Sequence, residues 1–230
     1  MTELVQIGPH RLFFGDAYAT RPTLGRMDAD VMDPGYKFRA QGGGHYRASR
    51  KGMDEIIEQQ LDQGFDKRII NPLLCGSVVV FCHNDQLPDL LPFVAGNFER
   101  VVLCMWQKTN PQPVANKHYR PDVEPYIHAW SGNFHPRGQL RDLFRIVTAG
   151  SARGRMRYGH PTPKPDAVMT KIVRNVAGRT ICDPFMGTGS TGVAAIRAGR
   201  TFTGIEHNPK HFATAVARIR DAFAEQEREA

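Results

Sequence analysis

The sequence predicts an α/β fold, a mainly parallel sheet flanked by helices, and three observations carry that expectation. Short apolar runs alternate with amphipathic stretches along most of the 230 residues. A hydrophobic content of 41% gives a chain of this length enough apolar surface for one sizeable core. One apolar strand runs into a glycine-rich turn that opens a helix, a junction found where parallel sheets hold nucleotides.

Taken in order, strands are expected at Arg11–Phe14, Asp28–Met32, Ser77–Cys82, Arg100–Trp106, Tyr126–Trp130, Thr180–Cys182 and Thr201–Ile205. Each is a short apolar or alternating run bounded by turn residues. Helices are expected at Met53–Gln63, Gln86–Ala95, Pro165–Val176, Thr191–Ala198 and Pro209–Ala224. The last is the best marked: Asn208 suits an N-cap, Pro209 suits the first helical position, and Phe212, Ala215, Val216, Ile219 and Phe223 share one face. Neither an internal repeat nor a low-complexity tract is present, and a single domain over 1–230 is expected. The stretch 132–159 lacks a clear period and reads as a small insert.

Composition narrows the class. The content of apolar and aromatic residues excludes a disordered or collagen-like chain. The longest nearly apolar run, Leu73 to Cys82, is broken by Gly76 and Ser77 and is far short of the roughly 20 residues a bilayer span needs, so a soluble protein is expected. Cys75, Cys82, Cys104 and Cys182 form no C-x-x-C pair and read as reduced core thiols of a cytoplasmic protein. The nine histidines show no metal-ligand spacing, and His83, His118, His128 and His207 read as hydrogen-bonding or packing residues.

Thirty basic against 23 acidic residues give a formal charge of +7, and the excess is localised. Lys37, Arg39, Arg47, Arg50 and Lys51 fall in one acid-free stretch that also holds three consecutive glycines. Arg137, Arg141, Arg145, Arg153, Arg155 and Arg157 fall in 131–159 against the single acid Asp142. These two segments leave the remainder of the chain net negative, the distribution expected of loops that track a phosphate backbone, although solvated charged loops would look the same.

The most informative segment is Asp183-Pro-Phe-Met-Gly-Thr-Gly-Ser-Thr-Gly192. Gly187, Gly189 and Gly192 satisfy G-x-G-x-x-G, and Glu206 ends the next strand 19 residues after Gly187. Glycines at these positions let backbone approach a ligand, and the acid accepts hydrogen bonds from ribose hydroxyls. A tight strand-to-helix turn without a ligand shares part of this pattern. A dinucleotide fold normally opens with the motif, whereas here only 38 residues follow Gly192, and that reading leaves Asp183 without a role. A carboxylate at the strand tip suits a ligand bearing a cationic amine.

This segment, with Gly204-Ile-Glu206-His-Asn208, resembles the S-adenosyl-L-methionine motif of the amino-methyltransferases of DNA. His160-Pro-Thr-Pro-Lys164-Pro165 is similar to a second element of that family, and Asp33-Pro34-Gly35-Tyr36, after the strand ending in Asp30-Val-Met, resembles its catalytic Asp-Pro-Pro-Tyr, departing from it at Gly35. Gly15-Asp16, Trp106-Gln-Lys108 and Glu124-Pro-Tyr126-Ile are similar to further family elements. The order, catalytic turn first and cofactor motif last, matches the permuted beta-type subgroup, and so implies a Rossmann-like methyltransferase fold with permuted motif order.

The resemblance implies roles. Asp183 and the backbone from Phe185 through Gly187 to Gly189 would hold the methionine moiety, Glu206 the ribose, and Thr162 and Lys164 the cofactor carboxylate. Asp16 would lie close to the nucleoside, and Ser190, Thr191 and Asn208 complete the cofactor set. Asp33 and the Pro34 carbonyl would accept the two hydrogens of an exocyclic amine, localising its lone pair, while Tyr36 would hold the extruded base. Gly35 gives the turn more freedom than a second proline. Asp at the first catalytic position favours the N6 amine of adenine in double-stranded DNA; N4 of cytosine, an RNA substrate, or a catalytically weakened nucleic-acid-binding homologue are the alternatives. The Lys37–Lys51 segment would clamp DNA, and a short recognition insert at about 132–159 would read bases or phosphates. No metal is required, a homodimer is compatible with the resemblance, and the setting fits bacterial or phage regulation and self-protection equally well.

Overall fold

The computed structural model describes residues 3–36, 64–111, 119–151 and 164–229. Among them, nine strands form one sheet: β1 (Glu3–Ile7), β2 (His10–Phe14), β3 (Met27–Met32), β4 (Cys75–Phe81), β5 (Arg100–Lys108), β6 (Val123–Trp130), β7 (Ile146–Ala149), β8 (Thr180–Asp183) and β9 (Thr201–Glu206). The helices are α1 (Ala17–Thr20), α2 (Leu87–Asn97), α3 (Asp166–Asn175), α4 (Ser190–Arg197) and α5 (Pro209–Glu229). The helix expected at Met53–Gln63 lies outside the described residues. No described helix is long and apolar enough to cross a membrane.

The strand order is β1-β2-β9-β8-β3-β4-β6-β5-β7. The run β2, β9, β8, β3, β4 is parallel throughout, and β7 is parallel to β5; β1 on β2 and β6 between β4 and β5 are antiparallel. The mainly parallel expectation holds, with β6 as the reversal that later matters most. All seven residues of β4 are buried, as a strand covered on both faces must be.

The two faces have separate cores. Val79 and Phe81 of β4 join Val168, Ile172, Val193, Ile196, Phe212 and Ile219 from α3, α4 and α5. Val78 and Val80 point the other way, to Ile69, Ile70, Leu90 and Val94, the last two on α2. Helix α5 starts as its sequence predicts: the Asn208 side chain accepts from the amides of Lys210 (3.0 Å) and His211 (3.2 Å). It then runs past the expected Ala224 to Glu229. The four cysteines are unpaired and buried.

One register lock joins residues 152 positions apart. Asp28 accepts from the amides of Arg179 (2.6 Å) and Thr180 (2.9 Å) and from the Thr180 hydroxyl (2.9 Å), fixing β8 beside β3 with Ala29 opposite Ile181. Charge-assisted bonds of this kind are stronger than neutral ones.

Two strands escape the sequence pattern, and both are edges. In β1 only Ile7 is buried, and in β7 no residue is. An edge strand with one wet face and one wet side needs little apolar alternation, so its period is faint. The stretch read as an insert therefore contributes a sheet strand within its described part. Its start lies at the amino end of β4. Ser131 follows β6 to the amino end of β4, bonding the Gly76 carbonyl (3.1 Å), Phe134 fills the space above Gly76, and the Arg137 amide bonds Asn175 at the end of α3 (2.8 Å). Arg137 and Arg141, expected to contact DNA, stand at the end of the sheet opposite the Asp33–Tyr36 turn, because the antiparallel β6 carries the chain there before β7 returns.

Candidate active site

A parallel sheet presents the carboxyl ends of its strands on one edge, and ligands settle where the strand order reverses direction. Here β3 leads rightward to β4 while β8 leads leftward to β9, so the reversal lies between the adjacent strands β3 and β8. Asp33 follows the tip of β3 and Asp183 ends β8. Glu206 ends β9, and Gly15-Asp16 follows β2, the Gly15 amide bonding the Glu206 carbonyl (3.0 Å). Because β6 is antiparallel, its first residues reach the same edge, placing Glu124 opposite Trp106 near the end of β5.

On one side of the crevice stands the glycine turn. Gly187 and Gly189 take left-handed backbone, φ +52° and +83°, which glycine adopts without penalty. The Asp183 carboxylate accepts from the Phe185 amide (3.0 Å) and the Thr191 hydroxyl (2.5 Å). It is 2% exposed, and burial raises its pKa to about 7 against these two bonds. The Glu206 carboxylate accepts from the amides of Gly187 (2.9 Å) and Asn208 (2.7 Å). Arg218 on α5 donates to the Thr188 carbonyl (2.6 Å) and to Ser190 Oγ (3.4 Å), tying the turn to the last helix. A Cβ on Gly192 would lie 2.7 Å from Ile219 Cδ1 and from Phe202 Cε1, so this third glycine lets α4 sit down on α5 and β9. Asp16 caps α1 by accepting from the Ala19 amide (2.8 Å). The Phe185 ring meets Tyr18 and Phe65 edge-on.

On the other side, residues 33–36 leave β3 without regular structure, Pro34 being buried. Tyr36 Oη lies 2.9 Å from Asp33 Oδ1 and 2.6 Å from Glu124 Oε1. Lys164 Nζ lies 2.5 Å from Asp33 Oδ2, 2.9 Å from Glu124 Oε1 and 3.2 Å from Tyr36 Oη. Lys108 Nζ closes the group on Glu124 Oε2 (3.0 Å). The Lys164 ammonium also faces the rings of Phe81 (4.8 Å) and Tyr36 (5.3 Å). Burial raises the Asp33 pKa, Lys164 opposes the rise, and the Glu124 charge adds to it. Burial would also raise Glu124, but Lys164 and Lys108 hold it down at about 2. Lys164 is pushed up to about 12, its two carboxylates outweighing burial. Asp33 nevertheless keeps 26% of its side-chain surface exposed, so a substrate can reach it.

The ammonium of Lys164, expected against a cofactor carboxylate, faces Asp33, Glu124 and Tyr36. The structure brings Asp33, Pro34, Gly35, Tyr36, Lys164, Asp183, Phe185, Gly187, Gly189, Ser190, Thr191, Glu206, Asn208 and Asp16 to one edge. Thr162, Lys37, Arg39, Arg47, Arg50, Lys51, Arg153, Arg155 and Arg157 lie outside the described residues. Sequence reasoning assigned no role to Glu124 and Lys108. The usable signal was their position at the meeting ends of two apolar strands. Among the described residues, no group of three or more His, Cys, Asp or Glu side chains is arranged to hold a metal.

A family model described as DNA methylase matches residues 75–217, which includes Lys164, the glycine turn and Glu206 and leaves the Asp33–Tyr36 turn outside. The chain is similar to the type II methyltransferase M2.DpnII of Streptococcus pneumoniae, 31% identical over 130 residues, covering 50% of this chain and 48% of the relative. It is similar to M2.LlaDCHI of Lactococcus lactis subsp. cremoris, 30% identical over 132 residues with the same coverage. The chain thus spans about half the length of the curated relatives it matches. Among solved structures, M1.HpyAVI in complex with SAM superposes with a TM-score of 0.67 at 23% identity, over 90% of this chain and 98% of that one. The cytosine-N4-specific PvuII DNA methyltransferase superposes with a TM-score of 0.63 at 13% identity, over 95% and 93%. The structural likenesses establish the methyltransferase fold, and the family match over well more than half of the residues establishes that the chain belongs to the DNA methylase family.

Proposed function

We propose that the protein transfers a methyl group from S-adenosyl-L-methionine to the exocyclic N6 amine of adenine in double-stranded DNA. The observation that carries the reading is the meeting, across the reversal point of the sheet, of the Asp33–Tyr36 turn with the glycine turn of Asp183. Family membership and the relatives' methyltransferase names support it.

The residues present fit the cofactor. Asp183 offers a buried carboxylate to a cationic amine, and each Glu206 oxygen, having accepted one backbone amide, retains a lone pair for a ribose hydroxyl. The left-handed Gly187 and Gly189 let the backbone of the turn approach a ligand closely. S-adenosyl-L-methionine would supply an electrophilic methyl on a sulfonium; the carbon–sulfur bond breaks as the carbon–nitrogen bond forms, and the proton the amine loses passes to solvent water. Asp33 and the Pro34 carbonyl accept the amino hydrogens and aim the lone pair, and the Tyr36 ring supports the extruded base.

The test is transfer from labelled S-adenosyl-L-methionine to unmethylated DNA by the wild type and Asp33→Ala, with mass spectrometry of the digested nucleosides. N6-methyladenine that disappears in the variant is the expected result. N4-methylcytosine would move the substrate to cytosine and keep the residue roles, and no transfer despite DNA and cofactor binding would sink the reading.

A further inference from the structure

We propose that Glu124, braced by Lys108, is a positioning residue that takes over the Lys164 ammonium and the Tyr36 hydroxyl when Asp33 turns to the target amine. The proposal rests on the methyl-transfer reading above.

Both oxygens of Asp33 are engaged. Oδ1 lies against Tyr36 Oη (2.9 Å) and Oδ2 against Lys164 Nζ (2.5 Å), so an amine donating to Asp33 competes with one of them for the carboxylate. Lys164 retains only 8% of its side-chain surface, and releasing it unpaired would leave a buried charge without compensation, among the costliest outcomes in a protein interior. Glu124 Oε1 removes that cost. It already lies 2.9 Å from the ammonium and 2.6 Å from the hydroxyl, so both partners of Asp33 are partners of Glu124 as well. The transfer needs a shift of tenths of an ångström and no dissociation.

Proton counting points the same way. A phenol has one hydrogen and faces two carboxylates, so Tyr36 serves one acceptor at a time and the contact is exchangeable by construction. Lys108 on Oε2 keeps Glu124 a permanent anion, in line with its pKa near 2. The groups that set the charge state of Asp33 are therefore Lys164, Tyr36 and Glu124, with Asp183 across the crevice and Lys108 beyond Glu124.

Two measurements on the full chain test this. Carboxyl-carbon NMR titration of Asp33 in the ligand-free protein needs no turnover. Relative to the wild type its titration should fall in Glu124→Gln, where Lys164 is left to Asp33 alone, and rise in Lys108→Met, where Glu124 draws Lys164 away. In methyl-transfer assays Glu124→Gln should lower kcat about a hundredfold at every pH, with KM for S-adenosyl-L-methionine within about threefold. Adding Lys164→Met to Glu124→Gln should then raise kcat about tenfold over the single variant, because the trap on Asp33 is gone. A residue that merely supported the fold would give a double variant weaker than either single. Should Glu124→Gln melt below the assay temperature, Glu124→Asp replaces it, with a smaller shift of the same sign. An active wild type whose Asp33 titration is unmoved by both variants, or a double variant without recovery, overturns the handover alone. An inactive wild type with both titrations shifted as described overturns the methyl-transfer reading, and the handover to an amine falls with it.

Discussion

Strand β3 and the turn that follows it carry two ion-paired aspartates three residues apart, and they are built for opposite purposes. Asp30 lies mid-strand, with Arg21 donating to it twice, from Nε (3.0 Å) and Nη2 (2.9 Å), while the rest of the guanidinium is spent on the carbonyls of Gly25 (2.9 Å) and Leu74 (2.7 Å). Both side chains are sealed from solvent. Asp33, just past the strand tip, is paired to a lysine that has a second carboxylate in reach, and it stays a quarter exposed. A planar guanidinium with matched acceptors fixes a geometry, whereas an ammonium with three rotatable donors can be shared. The same chemistry thus gives a permanent brace at one position and an exchangeable contact at the other.

Replacing the two aspartates should separate these purposes. Asp33→Ala is expected to remove methyl transfer by about a thousandfold or more while shifting thermal stability little, as measured by product formation and calorimetry on one preparation. Asp30→Ala leaves the Arg21 guanidinium buried without its carboxylate and should cost about 3–5 kcal/mol in urea denaturation, with Arg21→Met/Asp30→Leu recovering most of it. A large stability loss in Asp33→Ala would erase the distinction.

Two smaller effects sharpen the contrast on the cofactor side. Gly192→Ala drives a methyl into Ile219 and Phe202 and should cost about 1–3 kcal/mol, read from the denaturation midpoint. Asp183, raised by burial to about 7 from the ordinary 3.8, is an acid that the folded state prefers protonated. The stability this contributes is present below the unfolded pKa and is lost as pH rises through 7, so ligand-free Asp183→Asn should exceed the wild type in stability at pH 8, with the gap closing toward pH 5. Titration calorimetry should show wild-type affinity for S-adenosyl-L-methionine climbing up to about tenfold per pH unit below 7 and levelling above it, and a flat profile for Asp183→Asn.

Much of the sheet and of the glycine turn could be read from residues, because the physics there is local. Thr180-Ile-Cys182 is a buried strand and shows an apolar run; Asn208-Pro209 caps a helix and shows cap chemistry. The Asp33–Tyr36 turn was located by its motif, but its electrostatics were not, because Glu124 and Lys164 reach Asp33 only through the reversed direction of β6 and a crossover of more than a hundred residues. The Arg21–Asp30 pair was equally invisible: Arg21 beside a proline reads as a surface turn, and nothing near it in sequence announces a buried acid. Where Arg137 and Arg141 lie was not legible either, since charge counts carry no information about which edge of a sheet a segment leaves from.

The Asp28 lock between β3 and β8 also has a consequence in time. The two strands it joins are separated by about 150 residues, so at roughly 5–20 residues per second a ribosome finishes β3 about 8–30 s before β8 exists. Throughout that interval β3 offers an open, apolar edge whose proper neighbour has not been made, the kind of surface that recruits foreign strands. Yield during synthesis should therefore depend on translation speed across 37–179 more than on the stability of the finished fold.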